Sequence, residues 1–409
     1  MSPFLQLAVA LAVIIAATKF GGYISYRLGQ PSVLGEILVG IILGPSVLNF
    51  LHFSYFSDEH LGEIIHELAE LGVLLLMFIA GLELHLSDLA KSGRVAAIAG
   101  MLGVVVPLLL GAGVGIAFGM EIMPAAFIGL ILAATSVSIS AQTLMELGVL
   151  RSRVGVTLLG AAVFDDILVV LGLSVFVAVV LSGGEAGIAE VLWIATRMVL
   201  FLVAGTVLGL WLLPRLSRRV SRLPISQGII AFTIVVVLFY GWAAEVLGSM
   251  AAITGAFLAG VLLGRSPVKE RIESGISALA YGMFVPIFFI DVGLSADARQ
   301  LTTGTLWLMI VMTVVAVVGK VAGAGLGARL GGFSNLESLQ LGVGMMSRGE
   351  VGLIVASVGI VEGIISQQTF AAIVGVVILT TVLTPPLLRM LFAKSKEAPS
   401  DERLVTEGE

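Results

Sequence analysis

The sequence predicts an all-α polytopic membrane protein of about thirteen transmembrane helices. Three observations carry this. The 409 residues are 58% hydrophobic and only 12% charged, against about 25% charged in soluble domains, with a mean hydropathy of +1.11. Apolar stretches of 18 or more residues recur along the chain, each long enough to span a bilayer as a helix. They do not alternate as barrel strands do, and the 50 glycines suit helices that pack closely or are interrupted. With no cysteine, disulfides, thiolate metal sites and thiol chemistry are excluded. His52, His60, His66 and His85 fall in the first quarter without metal-ligand spacing. The first apolar stretch lacks a basic leader and a small-residue cleavage site, so it reads as a retained span.

The spans are expected near 4–27, 31–51, 63–84, 94–118, 123–147, 152–181, 189–213, 227–246, 249–265, 274–295, 303–328, 336–362 and 368–393, with a polar cytoplasmic tail over 394–409. Basic residues sort onto alternate loops: Arg27, then Lys91 with Arg94, Arg151 with Arg153, Arg215 to Arg222, Arg265 to Arg271, Arg329, and Arg389 onward. The other loops carry only Arg299 and the acidic run Ser57 to Glu63. By the positive-inside rule the N-terminus lies outside and the C-terminus in the cytoplasm, which requires an odd number of spans. Location in the cell membrane is expected.

A repeat is legible. Gly35, Gly40, Gly44 and Ser46 recur 220 residues later as Gly255, Gly260, Gly264 and Ser266, and Phe78-Ile79 recurs 211 later as Phe289-Ile290. The second copy starts seven spans on, so the copies would be inverted, with a binding site between them near the bilayer midplane. The fifth span holds the polar run Thr135, Ser136, Ser138, Ser140, and its mate holds Ser347-Arg348-Gly349-Glu350. Non-helical backbone at that depth is tolerated only where it is buried or lines a cavity, so both spans are expected to break at the site. Back-bonding of the hydroxyls to the preceding turn is the structural alternative.

The next span places Asp165 and Asp166 in the middle of an apolar run from Val154 to Leu181. A charge there costs about 2.5–3.5 kcal/mol on insertion scales. Neighbours on a helix diverge by about 100°, so one can meet a basic partner while the other faces an ion. Lys320, alone in an apolar helix, needs a carboxylate, and Asp165 is the candidate. Arg348 and Glu350 are expected to pin the broken helix, with Glu36 or Glu83 as partners, or to take part in coupling. Arg197 and Glu245 read as interface or interhelical pairs, and His66, Glu67 and Glu70 as a span entrance. A hard monovalent cation takes oxygen ligands, and Asp166 with Thr135 or Ser136 and freed carbonyls can supply them. A carboxylate that takes either a proton or a cation exchanges one for the other. If cation entry also breaks a Lys320–Asp165 pair, a second proton leaves and net charge moves.

The segments from Ala134 to Leu150, Gly160 to Val170, Val314 to Gly332 and Ser347 to Ala356, with Gln30 to Leu48 and Phe288 to Leu294, resemble the monovalent cation:proton antiporter superfamily over nearly the whole chain. The resemblance is to NapA-type sodium/proton antiporters, with Kef-type potassium/proton antiporters as cousins. Kef proteins carry Gln-Asp where this chain has Asp165-Asp166. The resemblance implies an NhaA/NapA-like fold with two crossed broken helices, an electrogenic elevator mechanism and a homodimer. It implies Asp166 as the cation and proton carboxylate, Asp165 as partner of Lys320, and Thr135 and Ser136 at the helix crossover. A dimerisation part is expected from about 1–62 and 189–265, and a core part from about 63–181 and 274–393. The expected partners are monovalent cations (sodium, with lithium or potassium open), protons and lipid. No resident cofactor, nucleic acid or enzymatic activity is expected. The competing readings are a cation channel, an intramembrane aspartyl protease (which adjacent aspartates do not suit) and a bile-acid-type transporter.

Overall fold

A computed structural model describes residues 2–28, 30–58, 60–83, 86–181, 188–294, 299 and 303–397. The tail beyond 397 and the side chains of Glu83 and Glu350 lie outside the described residues. All regular structure among the described residues is helical. The first half comprises α1 (Pro3–Arg27), α2 (Ser32–Leu43), α3 (Leu61–Glu83), α4 (Leu86–Ala117), α5 (Ile122–Ala133), α6 (Val137–Glu146) and α7 (Arg153–Leu181). Then follow α8 (Ile188–Val220), α9 (Gly228–Val246), α10 (Ala252–Leu263), α11 (Lys269–Leu279) and α12 (Val285–Leu294), the last two joined by a π-turn over Ala280–Phe284. The chain closes with α13 (Thr303–Leu330), α14 (Asn335–Gly344), α15 (Glu350–Val361) and α16 (Gln367–Glu397).

Ten helical stretches among the described residues are long and apolar enough to cross a membrane. The expected spans at 31–51, 249–265 and 336–362 are not among them. In the first, α2 is 12 residues long, about 18 Å of helix. It stops at Gly44, which is held extended (φ −68°, ψ 177°) ahead of Pro45. In the second, α10 is also 12 residues long, with Ser266-Pro267 beyond its end. The third is split between α14 and α15. The π-turn before α12 stands next to Pro286, which has no N–H to donate to the preceding turn.

Packing sorts the helices into two bodies. One is built on α4, which lies against α5, α7 and α13, with α14 and α16 completing it. The other is built on α2 and α10. There α2 packs between α1 and α12, α10 packs between α3 and α9, and α3 lies against α12. Thus α3 and α12 group with α2 and α10, where the sequence-based division put residues 63–84 and 274–295 with the core. The reason is glycine contact. A Cβ on Gly40 would stand 2.7 Å from the Ile290 carbonyl oxygen, and one on Gly260 would stand 2.8 Å from the Leu82 amide and press on the Phe78 carbonyl. The repeated glycines therefore bring α2 onto α12 and α10 onto α3 with backbones almost touching. α8 touches α7 in one body and α9 and α10 in the other.

The bodies meet along a seam where α6 reaches α2 and α3. Pro31 provides no side-chain cap for α2. Glu146, at the end of α6, provides it: its carboxylate accepts from the Ser32 amide and the Ser32 hydroxyl, each at 2.6 Å, and from Gln142 at 2.9 Å.

Gly260→Val is expected to lower stability by about 1–3 kcal/mol, because the backbone contact leaves no room for a side chain. Gly62, in the first turn of α3, has open space around it, so Gly62→Ala should leave the melting temperature unchanged or slightly raised. Thermal unfolding in detergent, followed by size-exclusion profile, distinguishes the two.

Candidate functional site

Both polar runs break their helices. α5 ends at Ala133 and α6 starts at Val137, with Ala134 and Ser136 extended (φ −59°, ψ 144° and φ −90°, ψ 113°). α14 ends at Gly344 and α15 starts at Glu350. The two breaks touch. The Ser136 amide donates to the Ser347 carbonyl at 2.8 Å, and the Ser347 hydroxyl donates to the Ser136 carbonyl at 2.8 Å. Ser140 donates its hydroxyl to the Gly344 carbonyl. A Cβ on Gly349 would stand 2.6 Å from the Ser136 hydroxyl oxygen, so glycine is needed where the strands of backbone pass. Ser136 and Ser347 are 211 residues apart, the offset that also relates Phe78 to Phe289.

A helix that stops inside the protein leaves carbonyls without partners. At the end of α5 two cations take them. Lys320 Nζ donates to the Ala133 carbonyl at 2.5 Å, and Arg348 Nη2 donates to the Leu132 carbonyl at 2.6 Å. Positive charge at a helix C-terminus is also favoured by the helix dipole. Arg348 donates further to the Ala316 carbonyl at 2.9 Å and to the Met346 carbonyl. Its backbone is held by α16: its amide donates to the Thr380 hydroxyl at 3.1 Å, and its carbonyl accepts from the Thr381 hydroxyl at 2.7 Å. Arg348 is thus bound by carbonyls and does not pair with Glu36, which instead lies 3.6 Å from Lys19.

Lys320 also donates to Asp165 Oδ1 at 2.5 Å, and both side chains are fully buried. Thr135, itself buried, lies beside Asp165. Asp166, one residue on, turns to the seam. It lines a small cavity, with room for about one water, together with Met77, Val137, Leu159, Val163 and the α10 residues Ile253, Thr254 and Phe257. The Thr254 hydroxyl donates to Asp166 Oδ2 at 3.4 Å. Ser136 stays at the crossing, 3.1 Å from the Ser138 hydroxyl. Neither Thr135 nor Ser136 lines the Asp166 cavity.

Sequence reasoning missed Thr254, Thr380 and Thr381. A threonine within Ala252–Leu263 looks like any back-bonded hydroxyl. The Thr380-Thr381 doublet carries no spacing that points at Arg348. Among the described residues, three further ionisable groups that the sequence singled out lie apart from the site. His66 Nδ1 is 2.8 Å from Asp291 Oδ2, linking α3 to α12. Arg197 caps the end of α9, donating to the carbonyls of Val246 and Leu247, the latter at 2.9 Å, while Glu245 is exposed. No cluster of three or more His, Asp or Glu suited to a metal ion occurs among the described residues.

Comparison with solved structures finds this fold in the sodium proton antiporter MjNhaP1 from Methanocaldococcus jannaschii. The TM-score is 0.70 at 17% identity over 97% of each chain, and 0.66 at 16% identity over 96% of this chain and 98% of that one for the structure at pH 8. Among curated proteins, the Na(+)/H(+)-K(+) antiporter GerN of Bacillus cereus is 39% identical over 388 residues, 95% of this chain and 97% of the relative. The Na(+)/H(+) antiporter of Enterococcus hirae is 35% identical over 384 residues, 94% and 97% respectively. The family model for the transmembrane sodium/hydrogen exchanger matches residues 10–394. A membrane protein of this fold, with this site and these relatives, belongs to the transmembrane sodium/hydrogen exchanger family.

Proposed function

We propose that this chain exchanges a monovalent cation, sodium first, for protons across the cell membrane. Asp166 is the carboxylate for which the two compete. The observation that carries this is the position of Asp166. It is buried at the seam between two packed bodies, one residue from an Asp165–Lys320 pair and next to two touching helix breaks. GerN is named for sodium, protons and potassium, and the Enterococcus hirae relative for sodium and protons. Proton uptake would release the cation, and cation binding would release the proton.

On this reading the ten long spans, the short α2 and α10, and the split α14–α15 together make thirteen segments. They form two inverted halves, with the N-terminus outside and the C-terminus in the cytoplasm. The body built on α4 is the moving core, and the body built on α2 and α10 is the static part that dimerises. The assignment of α3 and α12 to the static part follows their packing. The core shifts along the seam and carries Asp166 from one side to the other, an elevator movement. Exchange is electrogenic: the cation displaces one proton from Asp166 and, by loosening the Asp165–Lys320 pair, a second from Lys320.

Asp166→Asn is expected to abolish cation-dependent proton movement in proteoliposomes, with sodium, lithium and potassium each offered against a pH gradient. In the wild type, competition predicts an apparent KM for the cation that rises as pH falls, with little change in the maximal rate. Native exchange by the asparagine variant, or wild-type flux that needs no counter-gradient, would count against the proposal, the latter favouring a channel. A preference for potassium over sodium would assign the cation instead.

Lys320→Gln leaves Asp165 buried without its counter-ion. It is expected to cost about 3–5 kcal/mol unless the carboxyl takes up a proton. In whatever folded protein remains, transport should lose its response to an imposed membrane potential, measured with a potassium–valinomycin diffusion potential in sodium-loaded vesicles. An unchanged response would show that Lys320 carries no transported charge.

A further inference from the structure

Most helical threonines of this protein satisfy their own hydroxyls locally. Thr18, Thr143, Thr157, Thr233 and Thr313 each donate to the carbonyl four residues before, at 2.5–2.8 Å. Thr254 does not follow them. It stands in the first turn of α10, where the residue four before it, Met250, lies outside the helix. Its hydroxyl instead crosses the seam to Asp166 Oδ2 at 3.4 Å. It is buried, and among the side chains lining the Asp166 cavity it is the one polar group besides the carboxylate itself.

The mounting of Thr254 is rigid. Gly255 sets α10 against the Tyr240 carbonyl of α9, and Gly260 sets it against α3, at distances that leave no room for a Cβ. The Thr254 amide donates to the Ala251 carbonyl at 3.0 Å. Asp166 rides on α7, in the other body. A hydroxyl is both donor and acceptor. It can donate to the bare carboxylate and then turn a lone pair towards a cation held there. A cation entering an otherwise apolar cavity has few oxygens to replace its water, so one fixed oxygen matters.

We propose that Thr254 helps to hold the transported cation: in the arrangement seen here its hydroxyl orients Asp166, and on cation binding it supplies an oxygen from the opposite body. The contact is made across the seam, so it belongs to one side of the transport cycle and is lost when the bodies slide. This rests on the antiporter reading of Asp166.

The test compares wild type, Thr254→Val and Thr254→Ser in proteoliposomes loaded with sodium or lithium, with thermal unfolding of each variant recorded beside transport. Valine keeps the shape and removes the hydroxyl. The expected result is an apparent KM for the cation raised about tenfold in Thr254→Val, with the maximal rate changed less than the KM and the pH dependence of that KM displaced. Thr254→Ser should restore both, at melting temperatures within a few degrees of wild type. Unchanged KM and pH dependence in Thr254→Val would overturn the proposal, as would a serine variant as impaired as the valine one, which would assign a packing role. Wild-type vesicles without any exchange would overturn the antiporter reading and this inference with it. Exchange in wild type with an indifferent valine variant overturns only the role of the hydroxyl.

Discussion

The carbonyls left open at the end of α5 govern the centre of this molecule. A helix that stops inside a membrane protein exposes backbone acceptors where no bulk water reaches, and each unsatisfied group costs several kcal/mol. Here Leu132 and Ala133 are satisfied by Arg348 and Lys320. A cation at that depth is itself costly and needs an opposite charge nearby. Asp165 meets that need for Lys320 at 2.5 Å. The break, the two cations and the first aspartate are therefore one arrangement, in which each part is stable only because the others are present.

The second aspartate follows from helix geometry. With Asp165 turned to Lys320, its neighbour must point elsewhere on α7, and it points to the seam with α10. Adjacent carboxyls thus face different surroundings: Asp165 meets Lys320 in one body, and Asp166 meets Thr254 across the seam. The cavity there is largely apolar, and the Thr254 hydroxyl supplies a polar contact from the far side. A second carboxylate, Glu146, meets the other body at the N-terminus of α2. Among the described residues, these two polar contacts join the bodies at separate points of the seam.

The frame for those contacts is set by glycine. α2 and α10 have the same length, and their glycines at equivalent offsets press on α12 and α3 through backbone atoms. Contacts of this kind are short and rigid, because no side chain lies between the helices to adjust. They fix α10, and with it Thr254, to better precision than side-chain packing would.

Much of this was legible in the chain itself. Hydropathy alone identifies a helical membrane protein, because hydrocarbon leaves the backbone few other options. The interruptions at Thr135-Ser136 and Ser347-Arg348-Gly349 are visible because polar residues and glycine disturb apolar runs. The doublet Asp165-Asp166 and the isolated Lys320 stand out because an unpaired charge does not survive there. What sequence could not decide was which partners meet. Arg348 looked for a carboxylate and found carbonyls, since the same helix breaks that need it create acceptors that no sequence pattern marks. Nor does sequence mark which helices α3 and α12 pack against, since glycine contacts between helices distant in the chain set that packing. Thr254 was silent for the same reason: a hydroxyl in an apolar helix has one appearance in sequence, and only the position of another helix across the seam makes it a contact.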